Sequence, residues 1–243
     1  MSSAWHIVDV VAVQEETATA RTIGLRFPLP VRSLPGQHLD LRLTAPDGYQ
    51  AVRSYSVASA SPPDTLEITV EELPDGEVSP YLVRKLAVGD QLEVRGPVGG
   101  WFVWRPEDAS PVQLIAGGSG VVPLMAMVRA HDQARHPAPF RLLYSVRDPE
   151  SVYYRQELES LAGSSSGLAV DYVYTRRAPA GRPVGRLDAR ILASSVFGPE
   201  ADPAVFICGA TGFVETVSGW LVDSGYPPER IKTERYGGMG GTG

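Results

Sequence analysis

Hydrophobic and polar positions follow two rhythms along the chain. In the N-terminal part they alternate. Ile23, Leu25 and Phe27 are separated by single polar or small residues, as are Leu39, Leu41 and Leu43, and again Leu66, Ile68 and Val70. A period of two is the mark of a strand with one buried face. Pro35-Gly36, Pro46-Asp47-Gly48, Pro62-Pro63-Asp64 and Pro74-Asp75-Gly76 punctuate these runs with turn chemistry. Short strands at this spacing predict an antiparallel barrel or sandwich up to Trp101-Phe102. One helix interrupts them, with Ser79 as N-cap, Pro80 at the first helical position and apolar spacing from Tyr81 to Leu86.

From about residue 111 the rhythm changes. Apolar runs at 112–116, 140–145, 168–175, 204–208 and 231–234 read as strands. Helical spacing lies between them, in a run ending at Met127, at 154–161 and at 213–224. Strands alternating with helices predict a parallel sheet with helices on both faces. The boundary falls near Arg105-Pro106-Glu107-Asp108, giving domains of residues 1–106 and 107–243. There is no internal repeat. Ser164-Ser165-Ser166 reads as a surface loop and residues 237–243, rich in glycine, as a mobile end.

Composition narrows the function classes. The chain has 243 residues, 43% hydrophobic, which is ordinary for a globular protein and argues against disorder or coiled coil. Its formal charge of −6 argues against a general nucleic-acid binder. Of its 22 basic residues only Lys85 and Lys232 are lysine, and guanidinium forks suit phosphate. One cysteine, Cys208, rules out an internal disulfide and any four-cysteine iron–sulfur or zinc site in this chain. The start, MSSAWHIVDV, lacks the basic-then-apolar order of a signal peptide. No apolar stretch approaches the ~18 residues of a membrane span. A cytoplasmic protein without membrane insertion is expected. The histidines (His6, His38, His131, His136) are scattered, so no metal site is expected.

Several short segments carry candidate chemistry. In the strand at 51–57, Arg53 and Tyr55 point to one face, and Ser54 and Ser56 to the other. An arginine suits bidentate phosphate recognition, an aromatic suits a flat ring, and a hydroxyl is both donor and acceptor. Gly76-Glu77-Val78-Ser79 runs from a turn into a helix, whose N-terminus with a free hydroxyl is an anion site. Gly96-Pro97-Val98-Gly99 reads as a turn between strands.

Gly117-Gly118-Ser119-Gly120 follows a strand and opens a helix, the context of a phosphate-cradling loop. Pro123 stands where the usual dinucleotide motif has its third glycine. Cys208-Gly209 ends an apolar strand, and no basic sequence neighbour lowers the thiol's pKa, so it is not read as a nucleophile. Glu234 and Tyr236 lie two apart on the last strand. Arg147, Arg176 and Arg186 follow the second and third strands of the C-terminal part, where guanidinium groups could embrace a 2′-phosphate.

The order and spacing of these segments resemble the ferredoxin–NADP+ reductase family over nearly the whole chain. The resemblance implies an N-terminal all-β antiparallel flavin-binding barrel. It also implies a C-terminal α/β parallel-sheet, Rossmann-like nucleotide domain, with the active site in the cleft between them. By that likeness Arg53-Ser54-Tyr55-Ser56 holds the flavin. Arg53 takes the pyrophosphate, Tyr55 stacks on the ring, and Ser56 bonds near flavin N5. Gly76, Val78 and Ser79 belong to the element that closes on the flavin pyrophosphate and favours FAD over FMN. Gly117, Gly118, Gly120 and Pro123 meet the nicotinamide nucleotide's pyrophosphate. Cys208-Gly209 borders the path of the hydride.

Tyr236 resembles the aromatic that covers the flavin, and Glu234 the acid that assists proton movement. The glycine-rich run after Tyr236 departs from the plant-type ending. The cofactors implied are FAD and NADPH, with NADH possible. The implied activity is an FAD-dependent NAD(P)H oxidoreductase passing electrons to a separate ferredoxin, flavodoxin or oxygenase component. Two other readings stay open: a flavin reductase releasing free reduced flavin, and a non-catalytic flavin- or nucleotide-binding subunit. Many relatives append a [2Fe–2S] domain, so any iron–sulfur step is expected on a separate partner.

Overall fold

The computed structural model describes residues 4–60, 63–163 and 167–236. The chain forms two compact units: Met1–Arg105 with Met125–Ala130, and Pro106–Leu124 with His131–Gly243. The serine loop at 164–166 and the tail at 237–243 lie outside the described residues.

The first unit is a closed six-stranded barrel. Its strands are β1 (His6–Thr17), β2 (Ala20–Arg26), β3 (His38–Thr44), β4 (Gln50–Ala60), β5 (Thr65–Glu71) and β6 (Gln91–Val98), paired in the order β1-β2-β5-β4-β3-β6. All of its pairings are antiparallel. Alternation becomes burial: Ile23, Leu25, Leu39, Leu41, Leu66, Ile68 and Val70 fill the interior with Val8, Val10, Leu92 and Val94. The helix α1 (Ser79–Arg84) adds Leu82 and Val83 to this core. Closure removes the exposed strand edges that an open sheet would present. The Pro35-Gly36 turn needs its glycine, because φ is +99° and a Cβ there would lie 1.8 Å from the Phe102 carbonyl oxygen.

The second unit is a five-stranded parallel sheet. Its strands are β7 (Val112–Gly117), β8 (Phe140–Val146), β9 (Leu168–Tyr174), β10 (Ala204–Ala210) and β11 (Ile231–Tyr236), in the order β11-β10-β7-β8-β9. The helices are α2 (Val121–Ala134), α3 (Arg155–Gly163), α4 (Ala189–Ser195) and α5 (Thr211–Asp223). On one sheet face Ile115, Leu143, Val205 and Ile207 pack with Leu192 of α4 and with Val214, Val217 and Leu221 of α5. The alternate residues Leu114, Leu142, Tyr144, Phe206 and Cys208 are buried too. A sheet buried on both faces explains the continuous apolar runs.

Two expectations are corrected. Ser79 is the first helical residue rather than the N-cap; Val78 holds the cap position with no side-chain bond. The Ser79 hydroxyl instead accepts the Leu73 amide at 3.0 Å, because the preceding turn leaves that amide facing it. Gly96-Pro97-Val98 is not a turn between strands but lies within β6. There it makes a bulge against β3, where His38 pairs with Val98 and Asp40 with Arg95. The strands β1 and β6 and the helix α4 were not among the predicted elements.

Candidate cofactor and nucleotide sites

The barrel carries the flavin-type residues on β4. Arg53 stands opposite Leu41 and Tyr55 opposite Leu39, whereas Ser54 faces Asp40 and Ser56 faces His38. Directly paired residues share a face, so the two sets point to opposite sides as expected. Tyr55 packs against the barrel core, and burial pushes its phenol up to about 12. It is a neutral, flat, fixed ring.

Arg53 is half exposed, and its Nη2 meets Glu77 Oε2 at 2.5 Å. Its Nη1 donates to the Val52 carbonyl at 2.8 Å. The Tyr49 hydroxyl donates to the other oxygen of Glu77 at 3.0 Å. Glu77 lay within the Gly76–Ser79 segment without a role of its own, and Tyr49 was not singled out in the sequence. The guanidinium therefore already holds an oxyanion, which marks it as a place a phosphate fits.

Ser54 and Ser56 fall differently. The Ser54 hydroxyl donates to Asp40 at 2.6 Å, and Asp40 also accepts from Arg95 Nη2 at 2.7 Å. The hydroxyl is committed to that ion pair. Ser56 is half-buried beside His38, whose imidazole burial holds below its ordinary pKa. Val78 is buried in the barrel core, so only its backbone faces outward chemistry. The amide of Gly76 closes a turn on the Leu73 carbonyl at 2.8 Å.

In the second unit the strand order reverses direction between β7 and β10. Such a switch point opens a crevice at the carboxyl ends of the strands. Gly117, at the end of β7, leads into a 3-10 turn, Gly118–Gly120, and then α2. A Cβ on Gly120 would lie 2.2 Å from the Cys208 carbonyl oxygen, so only glycine admits the two strand ends so close. Gly118 has φ +55°. The N-terminus of α2 has no side-chain cap and carries Pro123 in its first turn, and the positive end of a helix suits an anion. These features fit a dinucleotide pyrophosphate. Phe213 of α5, another residue sequence reasoning missed, explains two further glycines. A Cβ on Gly117 or Gly209 would meet its ring at 2.9 and 2.8 Å.

A row of side chains crosses this sheet at one level: Glu234, Cys208, Ala116, Tyr144 and Tyr172 are successive partners. Burial pushes the Glu234 carboxyl up to about 7, and its Oε2 is buried without a hydrogen-bond partner. Burial, and then the Glu234 charge, push the Cys208 thiol well up. Cys208 is thus a small neutral side chain and no nucleophile. Tyr236, two residues on from Glu234, donates its hydroxyl to the Gly117 carbonyl at 2.5 Å. That hydroxyl also lies 3.0 Å from where a Gly118 Cβ would stand. The acid and the aromatic are therefore both brought to the glycine crevice.

The three arginines gather at the ends of β8 and β9. The Arg147 carbonyl accepts the amides of Arg176 and Arg177 at 2.8 and 3.1 Å. Tyr174 bridges to Val184, two residues before Arg186. Arg147, Arg176 and Arg186 are exposed, while Arg177 is paired with Glu150.

Family models cover both units: an oxidoreductase FAD-binding domain matches residues 9–103 and an oxidoreductase NAD-binding domain residues 114–219, so the chain is of the FAD- and NAD-binding oxidoreductase class. The chain is 35% identical over 248 residues to ferredoxin–NADP reductase B of Sorangium cellulosum, covering 92% of this chain and 99% of that protein. It belongs to the ferredoxin–NADP reductase family.

It is also 31% identical over 238 residues to the glycine betaine monooxygenase reductase subunit of Chromohalobacter salexigens, covering 96% of this chain and 64% of that protein. The chain thus spans less than two thirds of that relative. Among solved structures, the FAD/NAD-binding domain of nitric oxide dioxygenase from Vibrio cholerae superposes with a TM-score of 0.87 at 25% identity, covering 96% of this chain and 98% of that one. No helix among the described residues is long and apolar enough to cross a membrane.

Proposed function

We propose that this chain is a cytoplasmic FAD-dependent reductase. It carries electrons from NAD(P)H, with NADPH ahead of NADH, through FAD to a separate ferredoxin, flavodoxin or oxygenase component. The observation that carries the reading is the glycine crevice, where Gly120 abuts the Cys208 carbonyl beside the buried carboxyl of Glu234. A relative named as a monooxygenase reductase subunit supports an oxygenase component as acceptor.

Bound FAD would supply the conversion between two-electron and one-electron transfer, which no side chain offers. The chain's residues bind, orient and tune. Residues 1–106 form the FAD domain, in which Arg53 holds the phosphates and Tyr55 gives a rigid ring surface. Ser56 offers a hydroxyl to the flavin ring. Residues 107–243 form the NAD(P) domain, in which the amides of Gly118, Gly120 and the first turn of α2 hold the pyrophosphate. Arg147, Arg176 and Arg186 favour a 2′-phosphate. Cys208 leaves room at the reacting edge without competing for it. Glu234, half protonated near pH 7, holds or releases a proton beside Cys208. Tyr236 covers the glycine loop and moves off it when the dinucleotide enters.

Purified protein passed through gel filtration and assayed with NADPH and a panel of ferredoxin, flavodoxin and ferricyanide tests the reading. Retained flavin and NADPH-dependent reduction of a protein acceptor are expected. Flavin-loaded protein that reduces nothing in the panel would overturn it.

A further inference from the structure

We infer that Glu77 is an internal competitor for the flavin's phosphate groups, and that with Tyr49 it sets how tightly the barrel holds FAD. This rests on the reading that Arg53 binds those phosphates. The geometry is specific. Glu77 follows the Asp75-Gly76 turn after β5, and Arg53 lies on the neighbouring strand β4. Arg53 Nη2 meets Glu77 Oε2 at 2.5 Å, and Tyr49, from the β3–β4 turn, donates to Oε1 at 3.0 Å. Both carboxylate oxygens are engaged, and Arg53 Nη1 is spent on the Val52 carbonyl at 2.8 Å.

A guanidinium presents its N–H groups in a fixed fork. Each terminal nitrogen already has one N–H in use, and the Nη2 side of the fork is turned onto Glu77. A diphosphate that takes this side of Arg53 must displace the carboxylate, and the displaced negative charge then stays tethered close by. Glu77 therefore weakens FAD and FMN binding and has no hold on riboflavin, which carries no phosphate. Tyr49 reinforces the competition by keeping the carboxylate on the arginine. The Glu77 and Arg53 side chains are both about half exposed, at 48% and 50%, so the exchange needs no opening of the core.

The test is titration of deflavinated protein with FAD and with riboflavin, followed by quenching of flavin fluorescence. Glu77→Gln should lower the FAD dissociation constant about two- to five-fold, the span of an exposed ion pair. It should leave riboflavin unchanged. Tyr49→Phe keeps the charge but frees the carboxylate, and should tighten FAD by a smaller factor. Glu77→Gln that leaves FAD affinity unchanged, or weakens it, overturns the inference while Arg53→Gln still loses FAD. Arg53→Gln that binds FAD as tightly as the unaltered protein overturns the reading beneath it.

Discussion

Glu234 makes stability depend on pH in a direction opposite to that of most carboxylates. Burial in the β10–β11 pair raises its pKa from 4.5 to about 7, and one carboxylate oxygen finds no partner. The folded chain then binds this proton more tightly than the unfolded chain. Its stability contribution is fully present below pH 4.5 and is lost as pH rises through about 7. A shift from 4.5 to about 7 corresponds to about 3 kcal/mol. Glu234→Gln keeps the shape and removes the titration. Urea unfolding across a series from pH 5 to 8, followed by far-ultraviolet circular dichroism, reads the effect. The unaltered protein should lose stability along the series relative to the variant, until the variant is more stable by up to about 3 kcal/mol at pH 8. Parallel profiles for the two proteins would show that Glu234 is ionised freely in the folded state, and would refute the account of its burial.

Gly120→Ala would put a Cβ 2.2 Å from the Cys208 carbonyl oxygen. The strand ends would have to part by about 1 Å, at a cost of about 1–3 kcal/mol. Thermal unfolding should show the loss, and nucleotide affinity by calorimetry should fall while FAD content stays. Cys208 should resist iodoacetamide in the native protein and react once urea exposes it, as mass spectrometry would show; rapid native alkylation would contradict its burial. Arg176→Ala should raise the KM for NADPH about ten-fold, the worth of a charged hydrogen bond, and leave that for NADH unchanged in steady-state assays. Equal effects on both nucleotides would remove the 2′-phosphate role.

Much of the architecture was legible because its signals are local. The period of two in β2, β3 and β5 survives unbroken into the barrel core. β1 escaped notice because register shifts at Val10/Ala12 and Glu15/Thr17 break its alternation. In β6 only Leu92 and Val94 alternate before the bulge against β3. α4 has only seven residues, too few for helical periodicity, although the Asp188 carboxylate that caps it by accepting the Ile191 amide was a usable signal. The parts of the sites that were hidden are non-local. Glu77 meets Arg53 only once β4 and β5 pair in the barrel. The Phe213 ring lies over Gly117 only because β10 lies beside β7. The β10–β11 register that sets Glu234 against Cys208 is likewise a product of the sheet.

Whether one chain joins a flavin to a nicotinamide nucleotide is read by anaerobic rapid mixing of FAD-loaded protein with NADPH, followed at the flavin's visible absorbance. Bleaching of the flavin within the mixing experiment, faster with NADPH than with NADH, is the predicted result. A protein that retains FAD and binds NADPH, yet whose flavin stays oxidised with either nucleotide, would contradict it.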